Sequence, residues 1–283
     1  MSAQPSRLMA FVVLVACGAA PSPRTSTARV VSQVVFADEE LWHLGPEVRS
    51  RVVGVSPMAD DPRYSDAQGL WPDPVARPAG AEAIVALTPD LVITAEFTSA
   101  ETRAVLEQIG IRTLQLDGWN GFDDYRAHVT ALAAALDATD AGGRRVAEFD
   151  GALAAMRSQF AGRDQPGAVS WQEGSVAGSG TFFADAAAAA GFVNVAGQAG
   201  IHGHRTVAVE TLVAWNPEYI VIPCDDDCTE REREFAGRPG IAATRAAQRG
   251  GIVAIPARHL YSVGFGMLEV VRQLGNRRAE AQQ

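Results

Sequence analysis

Lysine is absent from this sequence, so all 24 basic side chains are arginine, set against 33 acidic ones for a formal net charge of −9. A phosphate-cradling loop of the kind that needs a lysine is therefore excluded, including at the glycine-rich stretch Gly174–Thr181. The acidic balance, without any basic cluster, argues against binding nucleic acid, which needs arginine or lysine to neutralise phosphates. Histidine is sparse and scattered, at positions 43, 128, 202, 204 and 259, with no obvious set of three or four metal ligands. No glycine fingerprint follows the first strand, and Ala177-Gly-Ser-Gly180 lacks the first glycine of a nucleophile elbow. These absences leave an enzyme of the hydrolase or cofactor-dependent reductase type as a remote alternative.

The sequence has no apolar run long enough to span a bilayer. Leu8–Ala16 behind Arg7 is too short, and has the length of an export-signal core. Leu14-Val15-Ala16-Cys17 resembles the lipobox of bacterial lipoproteins, which gives residues 1–16 as a signal peptide and Cys17 as a lipidated residue. The Ser/Thr/Pro-rich residues 17–28 then read as a tether. The expected localisation is exported, either periplasmic or at the cell surface, anchored to the membrane through Cys17. Only Cys224 and Cys228 remain as a pair, open to a local disulfide, free thiols or a metal.

What the chain does have is a strong helical period in its middle. Val146, Phe149, Leu153, Met156 and Phe160 recur in steps of three and four, while Arg144, Arg145, Glu148, Asp150 and Arg157 fall on other faces. Asp140 is expected to cap this helix and Gly162 to end it. Similar sequence lies on both sides: Glu82-Ala-Ile-Val-Ala-Leu-Thr-Pro-Asp-Leu-Val-Ile before it and Glu210-Thr-Leu-Val-Ala-Trp-Asn-Pro-Glu-Tyr-Ile-Val after it. Each copy reads as a short helix, a proline and a buried strand, one unit of an α/β lobe. The expected fold is α/β: a lobe over 29–139, a connecting helix over 140–162 and a lobe over 163–283. Each lobe would hold a central, mostly parallel sheet flanked by helices, with ligand sites at the strand C-terminal ends.

Within the first lobe the pattern predicts a helix over Asp38–Leu44 opening on acidic residues, a long loop from Ser56 to Pro78, and an amphipathic helix over Asp123–Leu136. In the second lobe, Gly174–Thr181 is expected to allow a close backbone approach or a tight turn. Gly200–Arg205 is expected to be a loop carrying His202 and His204. Trp171, Phe97, Phe36, Tyr261 and Phe265 fall at strand ends and are candidates for an aromatic wall.

With its order of elements, the chain resembles the iron-siderophore and vitamin B12 solute-binding proteins of ABC importers, class III, in which one rigid helix joins two lobes. The resemblance runs from about Val30 to Leu274 and rests on Arg51-Val-Val-Gly-Val-Ser56, Ala83–Val92, Gly178-Ser-Gly-Thr181, Gly191-Phe-Val-Asn194 and Leu212–Glu218. It implies a non-enzymatic lipoprotein, monomeric and without a cofactor, that delivers a metal chelate to an ABC permease and its ATPase. The leading expectation for the cargo is a ferric siderophore, with cobalamin or haem as alternatives. Glu82 and Glu210 match the acidic residues with which the family docks on its permease. The positions that match the cleft aromatics of corrinoid-binding members hold Met58, Ala76 and His204. His202 or His204, together with Tyr261, resembles the His/Tyr pair that completes a ferric coordination shell in some members. Arg205, Arg77 and Arg258 are candidates to neutralise an anionic chelate.

Overall fold

In the computed structural model, residues 28 to 281 are described, apart from 163 and 226. The expected signal peptide, the lipidation at Cys17 and all of the tether but Ala28 lie outside the described residues.

Four short strands rich in β-branched residues build the first sheet: β1 (Val30–Ser32), β2 (Val52–Gly54), β3 (Leu91–Ala95) and β4 (Thr113–Leu116). They pair in the order β2-β1-β3-β4, all parallel. The second half of the chain contributes β5 (Gly167–Ser170), β6 (Ser175–Ala177), β7 (Val193–Asn194), β8 (His204–Thr206), β9 (Tyr219–Cys224) and β10 (Ile252–Pro256). Its main sheet runs β10-β9-β5-β7, again parallel, while β6 and β8 form a separate antiparallel pair. Parallel sheets are covered on both faces, so their strands read as continuous apolar runs; Leu91–Ala95 is buried at every position.

The two copies of the repeat occupy equivalent places. Helix Ala81–Ala86 leads to β3 and helix Val209–Trp215 leads to β9, each strand being an inner one of its sheet. Between helix and proline, Thr88 (φ 46°) and Asn216 (φ 44°) both adopt the left-handed conformation at the same repeat position. A shared backbone irregularity at matched positions is what a duplicated unit leaves behind.

The connecting helix spans Thr139–Gln159, 21 residues or about 30 Å. Phe149 and Leu153 are buried along its apolar stripe. Its ends differ from expectation. Ala138 is the N-cap, with Asp140 inside the first turn, and Phe160 rather than Gly162 terminates it. Near its start Gly142 permits close packing on helix Phe122–Ala135, since a Cβ there would lie 2.4 Å from that of Ala133. Arg145 is not on the solvated face either: it is buried against Glu40, with Nε to Oε2 2.8 Å and Nη2 to Oε1 3.2 Å.

The first helix runs Val35–His43, three residues earlier than expected, because Asp38 and Glu40 are interior groups rather than helix-start acids. Asp38 accepts hydrogen bonds from the Ser56 hydroxyl (2.5 Å) and amide (3.2 Å). Residues 56–78 form the long loop, pinned by Trp71, whose indole donates to the Asp38 carbonyl (3.0 Å), and by Arg77, which donates to the Trp71 carbonyl (2.8 Å).

Candidate ligand-binding cleft

In a parallel sheet the C-terminal strand ends all open on one edge, where loops can gather around a ligand. Here those loops supply Phe97 after β3, Trp119 after β4, Trp171 and Gln172 after β5, Asp225 after β9, and Tyr261 after β10. The loops of both sheets meet at two adjoining cavities. The inner one, about 200 Å³, is apolar, lined by Trp119 from the first lobe and by Trp171, Phe182, Phe183, Val263 and Met267 from the second. The outer one, about 620 Å³, is polar and brings Arg63 and Tyr64 of the long loop opposite the second lobe. Trp171, Gln172 and Tyr261 line both cavities, so the two form one cleft, mainly apolar within and charged at the mouth.

The charge at the mouth is lopsided. Three arginines (Arg63, Arg231, Arg238) face five carboxylates (Glu173, Asp225, Asp227, Glu230, Glu234). Arg63 is already committed to Asp61 (2.6 Å), and Arg231 lies 3.8 Å from Glu234. Tyr261 feels this field: burial first, then the charges of Asp225, Tyr64 and Glu173, push its phenol up to about 12. Cys224 and Cys228 are joined by a disulfide with Cα atoms 5.2 Å apart, which closes the turn that presents Asp225 to the mouth. Asp227 instead caps helix Cys228–Ala236, accepting from the Glu230 amide at 2.9 Å.

The candidate residues separate clearly. Trp171 and Tyr261 line both cavities and His204 the inner one, so His204 and Tyr261 share a cavity. Phe97 is 64% exposed on the rim, 5.6 Å from the Trp119 ring. Phe36 is no cleft residue: it is buried behind Trp119 at 5.5 Å, packed against Tyr125 and His128. Phe265 is half-buried, packed against the core under the Arg145 guanidinium at 3.9 Å, and lines neither cavity. Met58, His202 and Arg205 are exposed, and none of the three lines either cavity. His202 Nδ1 lies 3.2 Å from the Ser179 hydroxyl.

Arg77 and Arg258 are engaged by Asp60 (2.7 Å) and Asp66 (2.9 Å) rather than free for a chelate. The stretch Gly174–Thr181 is half ladder rather than loop, because β6 pairs with β8 and the Gly178 and Ser179 amides donate to Gly203 and Ile201. Gly178 allows a close backbone approach to Ile201, whose carbonyl oxygen a Cβ would meet at 2.1 Å. Glu82 and Glu210 are exposed in the first turns of their helices, capping neither. Among the described residues no group of three or more His, Cys, Asp or Glu converges to hold a metal, and no helix is long and apolar enough to cross a membrane.

Trp119 was invisible to periodicity, yet it stands three residues beyond the end of β4, where cleft loops belong. Its ring packs at a tilt against His128 at 4.1 Å, and its indole nitrogen is buried without a partner.

Two parallel-sheet lobes joined by a single helix, with an aromatic cleft between them, form the architecture of a two-lobed binding protein. Residues 40–259 match the periplasmic binding protein family, and the chain belongs to it. A curated relative, a cobalamin-binding protein of Halobacterium salinarum, is 23% identical over 254 residues, covering 88% of this chain and 68% of its own length. Among solved structures, the periplasmic heme-binding protein RhuT from Roseiflexus sp. RS-1 superposes with a TM-score of 0.73 at 24% identity, covering 90% of this chain and 99% of that one. The periplasmic vitamin B12 binding protein BtuF of Vibrio cholerae gives 0.70 at 20%, covering 90% and 98%. At these identities the likeness fixes the fold. Proteins of the family are exported to the periplasm, bind small ligands and work with ABC permeases.

Proposed function

We propose that the cleft captures a corrinoid, a bulky cobalt chelate of low net charge, and presents it to an ABC permease. The observation that carries this reading is the pairing of an aromatic inner cavity with a mouth where carboxylates outnumber arginines. A flat macrocycle buries its faces against Trp119, Trp171 and Tyr261, and its amide fringe finds hydrogen-bond partners in Gln172 and the carboxylates. A strongly anionic ferric catecholate, the leading expectation from sequence, would enter past five carboxylates against three arginines, of which Arg63 is already paired with Asp61. A corrinoid also brings both axial ligands to its metal, so it needs no donor from the protein.

Haem is the second reading, on one observation: Tyr261 reaches the inner cavity, where a phenolate could bind ferric iron, with His204 in the same cavity. Against it, burial first and then the charges of Asp225, Tyr64 and Glu173 hold the Tyr261 phenol up to about 12, which opposes formation of that phenolate. Both readings retain as proposals a lipid anchor at Cys17, a monomeric protein with no resident cofactor, lobes over 29–139 and 163–283, and permease contacts at Glu82 and Glu210.

The test is quenching of tryptophan fluorescence, corrected for ligand absorption, in purified protein titrated in parallel with cyanocobalamin, haemin and a ferric catecholate. The expected result is saturation by cyanocobalamin, lost in Trp171→Ala and little changed in Tyr261→Phe. Saturation by haemin alone, abolished by Tyr261→Phe, would transfer the protein to the haem reading. Saturation by the ferric catecholate alone would refute the charge argument.

A further inference from the structure

Asp66 lies in the long loop of the first lobe, but its partners lie in the second. Arg258 Nε donates to Oδ1 at 2.9 Å, and His259 Nε2 is 3.3 Å from the same oxygen. The other carboxylate oxygen faces Gly266, where a Cβ would meet it at 3.1 Å. The loop itself is held from behind, because the Asp66 amide donates to Glu39 Oε1 at 2.9 Å. Burial opposes ionisation of Asp66, yet His259 and Arg258 hold its carboxyl below the usual range.

Arg258 and His259 sit on one four-residue helical turn, Ala257–Leu260, and the residue that caps this turn is Tyr261. The Tyr261 amide donates to the Ala257 carbonyl at 2.8 Å and the Ser262 amide to the His259 carbonyl at 3.2 Å, so the turn and the tyrosine move as one piece. So short a helix has little stability of its own, and must be fixed by tertiary contacts. Glu269 and Arg272 on the closing helix (Met267–Ala281) pair with each other, and Glu269 feels the charge of His259 but forms no ion pair with this turn. His259 is 15% exposed and its Nδ1 has no partner, so Asp66 is the carboxylate that anchors the pair.

We infer that Asp66 is a positioning residue for the binding cleft: by gripping Arg258 and His259 across the lobes, it sets where Tyr261 stands in the cleft wall. Asp66 itself lines neither cavity and acts through Tyr261. The inference rests on the cleft being the ligand site, and is independent of which chelate the site takes.

Hydrogen exchange on the ligand-free, full-length protein tests the device without any assumption about cargo. Asp66→Asn is expected to speed exchange at the Tyr261 and Ser262 amides about fivefold, the scale of losing an ion pair worth ~1 kcal/mol, with β9 and β10 unchanged. Arg258→Gln, which cuts the bridge from the other side, should reproduce the effect, and Asp66→Glu should restore part of the protection. Unchanged exchange at both amides in either variant overturns the inference. So does acceleration spread over the whole second lobe in both, which would make the bridge a general support.

Cyanocobalamin affinity supplies the functional arm. Asp66→Asn should weaken binding about fivefold in the parent chain and less than about twofold in a Tyr261→Ala background. Equal losses in the two backgrounds would show that Asp66 does not act through Tyr261. If the parent chain does not bind cyanocobalamin, the cargo reading fails while the exchange result still decides the role of Asp66.

Discussion

Glu40 and Arg145 tie three parts of the molecule together. Glu40 comes from the first helix and Arg145 from the connecting helix, while the Arg145 guanidinium covers Phe265, just ahead of the closing helix. Burial pushes the Glu40 carboxyl up, and the paired guanidinium stays charged beside it because Arg145 has Glu40 and Glu148 as acceptors. Replacing one partner strands the other, so Arg145→Met should cost roughly 3 kcal/mol or more, and Glu40→Met added to it should recover most of the loss. Chemical denaturation of the three variants checks both statements.

Asp38 supplies a pH signature. Burial raises its pKa from 3.8 to about 7, against the hydrogen bonds from Ser56 and Ser32. The native state then keeps a proton that the unfolded chain releases between those values. Its contribution is therefore fully present below pH ~4, and is lost as pH rises toward ~7, by up to ~4 kcal/mol. Asp38→Asn should remove this slope, leaving a flatter dependence of melting temperature on pH between 4 and 7 than in the parent protein.

At the scale of elements, the duplicated unit solves the same backbone problem twice with different residues. Both copies need a left-handed residue before the proline; one uses Asn216, which tolerates it, and the other uses Thr88, whose branched Cβ does not. Thr88 is exposed, so replacing it sacrifices no packing. Thr88→Asn is expected to stabilise the protein by about 1 kcal/mol, seen as a rise of a few degrees in Tm. The repeat was legible because a helix, a proline and a buried strand leave a linear pattern. The β6–β8 ladder was not, because its strands are short, rich in small or polar residues and 27 residues apart between Ala177 and His204.

At the scale of the whole molecule, two exposed carboxylates at matched repeat positions, one per lobe, suit a partner with two-fold symmetry. Reversing both, Glu82→Arg with Glu210→Arg, should leave cargo binding within about twofold and abolish uptake in a reconstituted importer, since neither residue lines the cleft. Unchanged uptake would remove both residues from the docking surface.

The sequence by itself determined the α/β class, the two parallel sheets, the helix between them and the loops that end at the cleft. Those follow from apolar period and turn chemistry, which are local properties of the chain. Trp171 and Tyr261 were legible for the same reason, as aromatics just past strand ends. Only the tertiary structure decided which aromatics are wall and which are not: Phe36 and Phe265 share the sequence character of Trp171, but Phe36 is core and Phe265 is half-buried against it. Only it revealed Trp119 as a wall residue, Arg145 as a buried partner of Glu40, and Arg258 as a hand held by Asp66, 192 residues away. Burial and pairing are set by what arrives from elsewhere in the chain, and no local pattern carries that information.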